Sequence, residues 1–152
     1  MTDQRVGRTA RALGFAGLAP AVATTALVAG GDYTAAAIGA FYPLLILSFL
    51  GGMWWGFAMR ESGARQGWLV AVAVVPSLVA LVLGCAVVLS GGSPWSLVAI
   101  GVAVLLTLPV DRWLAVRGIA PAGWMGLRVP LSVGLGGLTI ATGVLIGVGS
   151  RL

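Results

Sequence analysis

The chain has 152 residues, of which 59% are hydrophobic and 9% charged, and its mean hydropathy is +1.06. Because a soluble domain carries about 25% charged residues, this composition excludes a water-soluble protein and makes lipid the solvent for much of the surface. The net charge is +5, but the basic residues, all of them arginine, are dispersed between apolar runs. A nucleic-acid-binding surface gathers such residues in one patch, so we expect membrane lipids and no nucleic acid among the partners.

The residues that usually bind metals and cofactors are scarce. The chain has no histidine and a single cysteine, Cys85. Zinc, haem and copper sites use these side chains as their usual ligands. We therefore expect no metal and no cofactor, and a lone cysteine excludes an intramolecular disulfide.

Five apolar runs follow one another, each near the ~20 residues that a helix needs to cross a bilayer. The predicted helices cover residues 10–29, 34–59, 66–90, 94–114 and 124–148. The connections between them are short, which makes sequential helices antiparallel neighbours. The sequence therefore predicts an all-α fold, with residues 1–152 forming a single membrane domain of five transmembrane helices. The period-two alternation of a membrane β-barrel is absent from the sequence.

The first run follows three arginines and ends in "VAG" at Gly30, a weak signal-peptide cleavage motif. We expect this run to remain as the first helix instead of being removed. Its small residues recur at helical spacing, at Ala10, Gly14, Gly17 and Ala21.

The second run contains "SFLGGMWWG", in which small residues recur every four positions at Ser48, Gly52 and Gly56. Such a stripe lets another helix approach closely. Trp55 lies beside the stripe and leans back over Gly52 and Gly51, while Trp54 is turned away and free to anchor at the membrane interface. We expect tight helix packing here, with Ser48, Gly51, Gly52 and Gly56 as the packing residues of this helix. A ligand pocket with the Trp55 indole as one wall is the alternative.

The fifth run carries a similar stripe of small residues at Gly136, Gly137, Thr139, Gly143 and Gly147. We interpret these stripes as contacts within the bundle, with dimerisation as the alternative. Each of the five runs also contains one proline beyond its first residue, namely Pro20, Pro43, Pro76, Pro109 and Pro130. Kinked helices are the expected result, although broken helices also mark substrate sites in some transporters.

Eight of the nine arginines lie on one side of the predicted helices. They are Arg5, Arg8, Arg11, Arg60, Arg65, Arg112, Arg117 and Arg128. Because positive charge stays in the cytoplasm, the N-terminus is predicted to be cytoplasmic and the C-terminus, with Arg151, outside. Arginine in place of lysine, with abundant alanine, glycine and valine, indicates a GC-rich bacterial genome, and hence the bacterial inner membrane.

One group of polar and aromatic residues is predicted to meet at the cytoplasmic ends of the helices. Its members are Trp54, Trp55, Arg60, Asp111, Arg112 and Arg128, with Trp113 nearby. We expect a structural ion pair, in which Asp111 bridges Arg128 and Arg60 is the alternate partner. Ligand or proton handling is the alternative. The sequence does not bring a nucleophile, a base or metal ligands together in the arrangement that catalysis requires. We therefore expect that the protein is not an enzyme.

The stretch "ILSFLGGMWWGFAMRE", from Ile46 to Glu61, resembles the signature of a bacterial and mitochondrial membrane family, domain of unknown function 3429. Its animal member is called transmembrane protein 69. "LGFAGLAP", "VVPSLVA" and "DRW" support the resemblance, and together these pieces cover nearly the whole chain in order. The resemblance implies a fold and a compartment but no reaction, because the family has no established activity.

Two non-enzymatic functions fit these observations. The first is an accessory or assembly subunit of a larger inner-membrane complex, whose small-residue stripes contact partner helices. The second is a ligand-binding or transport protein with a pocket at the cytoplasmic ends of helices two, four and five. A cavity with polar groups favours the second function, and a filled core favours the first.

Overall fold

The computed structural model describes residues 7–149, which form a bundle of seven α-helices. The helices are α1 (Arg8–Ala16), α2 (Ala19–Ala29), α3 (Ala36–Ala58), α4 (Gly63–Leu89), α5 (Pro94–Leu105), α6 (Leu108–Val116) and α7 (Trp124–Gly149). A 3₁₀ turn, Tyr33–Ala35, precedes α3. Arg5 and Arg151, which entered the orientation argument, lie outside the described residues.

The helices make five segments that are long and apolar enough to cross a membrane. These spans are Arg8–Ala29, Tyr33–Ala58, Gly63–Leu89, Pro94–Val116 and Trp124–Gly149. The predicted all-α bundle of five transmembrane helices is therefore confirmed, with boundaries that differ by a few residues. In lipid only a helix satisfies its backbone hydrogen bonds within one segment, so apolar length alone determines this architecture.

Two of the five prolines divide a span into two helices. Pro20 is the second residue of α2, and Pro109 is the second residue of α6. Proline lacks a backbone N–H and clashes with the preceding turn, but it fits the first turn of a new helix. The Tyr42 hydroxyl donates to the carbonyl of Gly17 at the first break, and the Thr107 hydroxyl donates to the carbonyl of Val104, 2.7 Å away, at the second.

Close helix contacts depend on glycines that face a neighbouring backbone. A Cβ added to Gly51 in α3 would lie 2.5 Å from the carbonyl oxygen of Ala73 in α4. One added to Gly143 in α7 would lie 2.7 Å from the carbonyl oxygen of Pro94 in α5. These distances leave no room for a side chain, so α3 packs along α4, and α5 along α7, at backbone contact. At Gly147 the added Cβ would make only ordinary contact, 3.5 Å from the Pro94 ring.

Of the packing residues predicted on α3, Gly51 makes the close contact, whereas Gly52 and Gly56 do not. A Cβ added to Gly52 or Gly56 would meet no heavy atom within 4 Å, so neither glycine supports a close approach. The buried face of α3 instead runs through Leu47, Gly51, Trp54 and Ala58. Each residue turns the helix by ~100°, so Gly52 points away from the face that Gly51 occupies. Ser48 lies at the edge of this contact, where its hydroxyl is 3.0 Å from that of Ser77 in α4.

Side chains from four helices pack together where α3 and α6 end and α4 and α7 begin. The buried members include Trp54, Ala58, Leu69, Leu114 and Trp124. The rings of Trp68 and Trp113 also meet here, with centroids 4.9 Å apart. This packing sets the walls of the polar site described next.

Candidate functional site

A buried ion pair joins α6 to α7. The Arg128 Nε donates to Asp111 Oδ2 at 2.8 Å, and Asp111 is 0% exposed. Asp111 lies in the first turn of α6, just after the break at Thr107, and Arg128 lies five residues into α7. The predicted Asp111–Arg128 bridge is confirmed. The ion pair holds α6 and α7 at the same depth, because a charge buried away from water is strongly destabilising without its counter-ion.

Two tryptophans complete the surroundings of the carboxylate. The indole N–H of Trp54 donates to Asp111 Oδ1 at 2.9 Å, and that of Trp124 donates to the same oxygen at 3.1 Å. Asp111 thus receives hydrogen bonds from α3 and α7 besides its own ion pair. Hydrogen bonds to a charged group are worth about 1.5–3 kcal/mol each. The two indoles and the guanidinium therefore offset the free-energy cost of burying this carboxylate.

The orientation predicted for the two adjacent tryptophans of α3 is reversed. Trp54, expected to be turned outward as an interface anchor, is 3% exposed, whereas Trp55, expected to lie on the glycine shelf, is 44% exposed. Trp54 follows Gly51 by three positions and shares its buried face. The same rotation that moves the close contact from Gly52 to Gly51 therefore places Trp54 inside.

Thr107 is a further member of the site that the sequence did not single out. Arg128 Nη2 donates to Thr107 Oγ1 at 3.3 Å, and that hydroxyl donates in turn to the Val104 carbonyl. Thr107 precedes Asp111 by four residues and Trp124 precedes Arg128 by four. This i,i+4 spacing places each partner on the same helix face as the charge, and it is the signal that could have identified both residues.

The remaining members of the predicted cluster do not join it. Arg60, beyond the end of α3, and Arg112, next to Asp111, are both exposed. Arg112 follows Asp111 by one residue, so it points ~100° away around α6. Of the six residues predicted to meet, the structure brings together Trp54, Asp111 and Arg128.

A cavity of about 470 Å³ adjoins the ion pair and opens to the outer surface of the bundle, where its wall residues Leu13 and Phe49 are exposed. It lies between the α1–α2 break, α3 and α7, with one wall residue, Val104, from α5. Most of its lining is apolar or small, and includes Gly14, Leu18, Phe49, Met53, Leu127, Leu131 and Leu135. The sequence predicted a pocket at the cytoplasmic ends of the second, fourth and fifth spans. The walls of this cavity come mainly from the first, second and fifth spans.

Two polar side chains of α7, Arg128 and Ser132, line this cavity. Ser132 is 1% exposed, and its hydroxyl has no hydrogen-bond partner among residues 7–149. A buried hydroxyl without a partner costs free energy. We refer to this space as the Ser132 cavity.

The site gathers hydrogen-bond donors around one buried carboxylate. Its carboxylate is held by three donors, and its guanidinium by the carboxylate and a threonine. Within residues 7–149, no three His, Cys, Asp or Glu side chains form a group that could hold a metal ion. The arrangement can bind and orient a molecule that accepts hydrogen bonds.

A family model described as "Protein of unknown function (DUF3429)" matches residues 6–144, nearly the whole chain. Neither a curated protein nor a solved structure matches the chain. The predicted family is therefore confirmed, while the likeness to transmembrane protein 69 stays a prediction. The chain belongs to the DUF3429 family.

Proposed function

We propose that this member of the DUF3429 family is a non-enzymatic multi-pass membrane protein that binds a lipophilic small molecule in the Ser132 cavity. The supporting observation is the cavity itself, an apolar space of about 470 Å³ that reaches a buried arginine and an unpartnered serine. Small-molecule sites are typically pockets of roughly 300–1,000 Å³ with apolar walls and a few polar groups.

The apolar lining of this space determines what can fill it. Water is a poor occupant, because an ordered buried water needs about two to four polar partners, and most of the lining is apolar. An empty space forfeits dispersion contacts along its walls. A lipophilic molecule regains those contacts, and it reaches the cavity from the bilayer without crossing water.

The sequence alone favoured an accessory or assembly subunit of a larger inner-membrane complex. Such a subunit needs outer faces for partner helices and a filled interior, so a cavity beside a buried ion pair has no part in that role. The cavity therefore makes ligand binding the preferred function. Binding to a membrane-protein complex remains the second proposal, and the experiment below distinguishes the two.

The test is to purify the protein from its native membrane in a mild detergent and to identify co-purifying small molecules and proteins by mass spectrometry. Leu131, half-buried, lines the cavity, and Val133, two residues later on α7, is exposed. Leu131→Trp fills the cavity and should lose the bound molecule. The matched variant Val133→Trp should retain it.

Equal small-molecule content in both variants would reject the cavity as the binding site. Stoichiometric partner proteins with no bound small molecule would favour the accessory role.

A further inference from the structure

We propose that the polar end of the ligand is an uncharged hydrogen-bond acceptor, a carbonyl oxygen on a lipophilic chain, held by Ser132 and Arg128. The inference rests on the proposed function, since it names the chemistry of the molecule in the same cavity. It follows from three features of the site: the free donors, their common face and the local charge.

The free donors are the first feature. The Ser132 hydroxyl is buried without a partner among the described residues. Arg128 uses Nε for Asp111 and Nη2 for Thr107. A guanidinium has five N–H donors and no acceptor, so these two bonds leave N–H donors that an acceptor on the ligand can use.

The second feature is the common face. Ser132 follows Arg128 by four residues in α7, so the two side chains lie one turn apart on the same side of the helix. Both line the Ser132 cavity. A single carbonyl oxygen has two lone pairs and can accept from both donors at once.

Charge is the third feature, and it distinguishes a carbonyl from a carboxylate or phosphate. Asp111 already neutralises Arg128 at 2.8 Å, with both side chains buried. An anionic ligand would bring a second negative charge to a buried pair that has no net charge. Burying an ion without a counter-ion is strongly unfavourable, whereas a neutral carbonyl brings no charge.

The apolar walls accommodate the remainder of the ligand. Leu131 and Leu135 extend the cavity along α7, and Phe49 and Met53 face them from α3. Lipophilic ketones and quinones of the bilayer carry the required carbonyl, and so do the esters of glycerolipids. The test therefore includes a glycerolipid as a competitor.

Three probes with the same twelve-carbon chain vary only the polar end: dodecan-2-one, dodecanoate and dodecane. Binding to the full-length protein in detergent is measured by native mass spectrometry. We expect dodecan-2-one to bind roughly tenfold more tightly than the other two, the effect of one or two net hydrogen bonds. If the natural ligand is a ketone or quinone, added phosphatidylcholine should not displace dodecan-2-one. If the natural ligand is the ester of a bilayer lipid, phosphatidylcholine should displace dodecan-2-one. Either result supports a carbonyl.

Ser132→Ala should reduce binding of dodecan-2-one to near the level of dodecane and leave dodecane unchanged. Ser132 has no hydrogen bond to lose among the described residues, so the variant should fold. Ser132→Thr keeps a hydroxyl and should restore part of the affinity. Ser77→Ala, on α4 beside Ser48, is the matched control and should bind like the parent protein.

Tightest binding of dodecanoate would overturn the inference. Equal binding of all three probes, unchanged by Ser132→Ala, would also overturn it while leaving the proposed function intact. Binding of none of the three, together with no small molecule from native membrane, would overturn both.

Discussion

At the scale of single residues, the central feature is a carboxylate that is fully enclosed yet fully partnered. Asp111 accepts from two indoles and a guanidinium supplied by α3 and α7. Removing one member of a buried ion pair leaves the other as an uncompensated charge, which costs about 3–5 kcal/mol. The ion pair therefore fixes how α3, α6 and α7 meet.

We expect Asp111→Asn to lower the free energy of unfolding by about 3 kcal/mol, because it leaves the Arg128 charge buried without a counter-ion. Adding Arg128→Gln should lose little more, since both changes remove the same interaction. Reversible unfolding in mixed micelles measures the cycle. Arg112→Gln is the control, because Arg112 is exposed and should change the stability by less than about 0.5 kcal/mol. If the losses in unfolding free energy of the two single variants simply add in the double variant, the two side chains are not energetically coupled and the bridge is wrong.

At the scale of helices, the contact between α3 and α4 depends on which glycine faces the neighbouring backbone. The sequence indicated both Gly51 and Gly52 as packing residues, and the structure places only Gly51 against the backbone of α4. A larger residue should therefore disrupt the bundle at Gly51 and not at Gly52.

Gly51→Ala should lower the thermal stability in detergent, because the new Cβ would lie 2.5 Å from the Ala73 carbonyl and the helices must separate. Overpacking of this kind typically costs about 1–3 kcal/mol. Gly52→Ala is the matched control. Its Cβ would meet nothing within 4 Å, and alanine is the better helix former by roughly 0.5–1 kcal/mol, so its stability should be unchanged or slightly higher. A larger loss at Gly52 than at Gly51 would contradict the observed helix rotation.

At the scale of the whole molecule, the buried site lies at the end of the bundle where the arginines concentrate. Trp68 at the start of α4 contacts Trp113 near the end of α6, and Arg117 lies over the same ring at 5.2 Å. Exposed arginines therefore surround the end of the bundle that contains the ion pair. From the positive-inside rule we expect this end to face the cytoplasm.

We expect an N-terminus in the cytoplasm and a C-terminus outside. A reporter that is active only in the periplasm should be active when fused to Leu152 and inactive when inserted in the loop at residues 61–65. A reporter that is active only in the cytoplasm, placed at the same two sites, is the control and should give the opposite pattern. Periplasmic activity from the loop and not from Leu152 would reverse the orientation.

The sequence by itself determined the five-span helical bundle, because each span needs only enough apolar length and the hydrogen bonds of its own helix. It also favoured the Asp111–Arg128 pair over the alternate partner Arg60, since a charge placed within a span needs a partner at the same depth.

Only the tertiary structure decided which face of each helix is buried. A helix such as α3 is apolar almost all round, so no contrast between polar and apolar faces sets its rotation. Close packing against α4 sets it instead, and that packing turned Gly51 and Trp54 inward and Gly52 and Trp55 outward. The Ser132 cavity also depends on packing, because its walls come from the first span on both sides of the break before Pro20, from α3 and from α7.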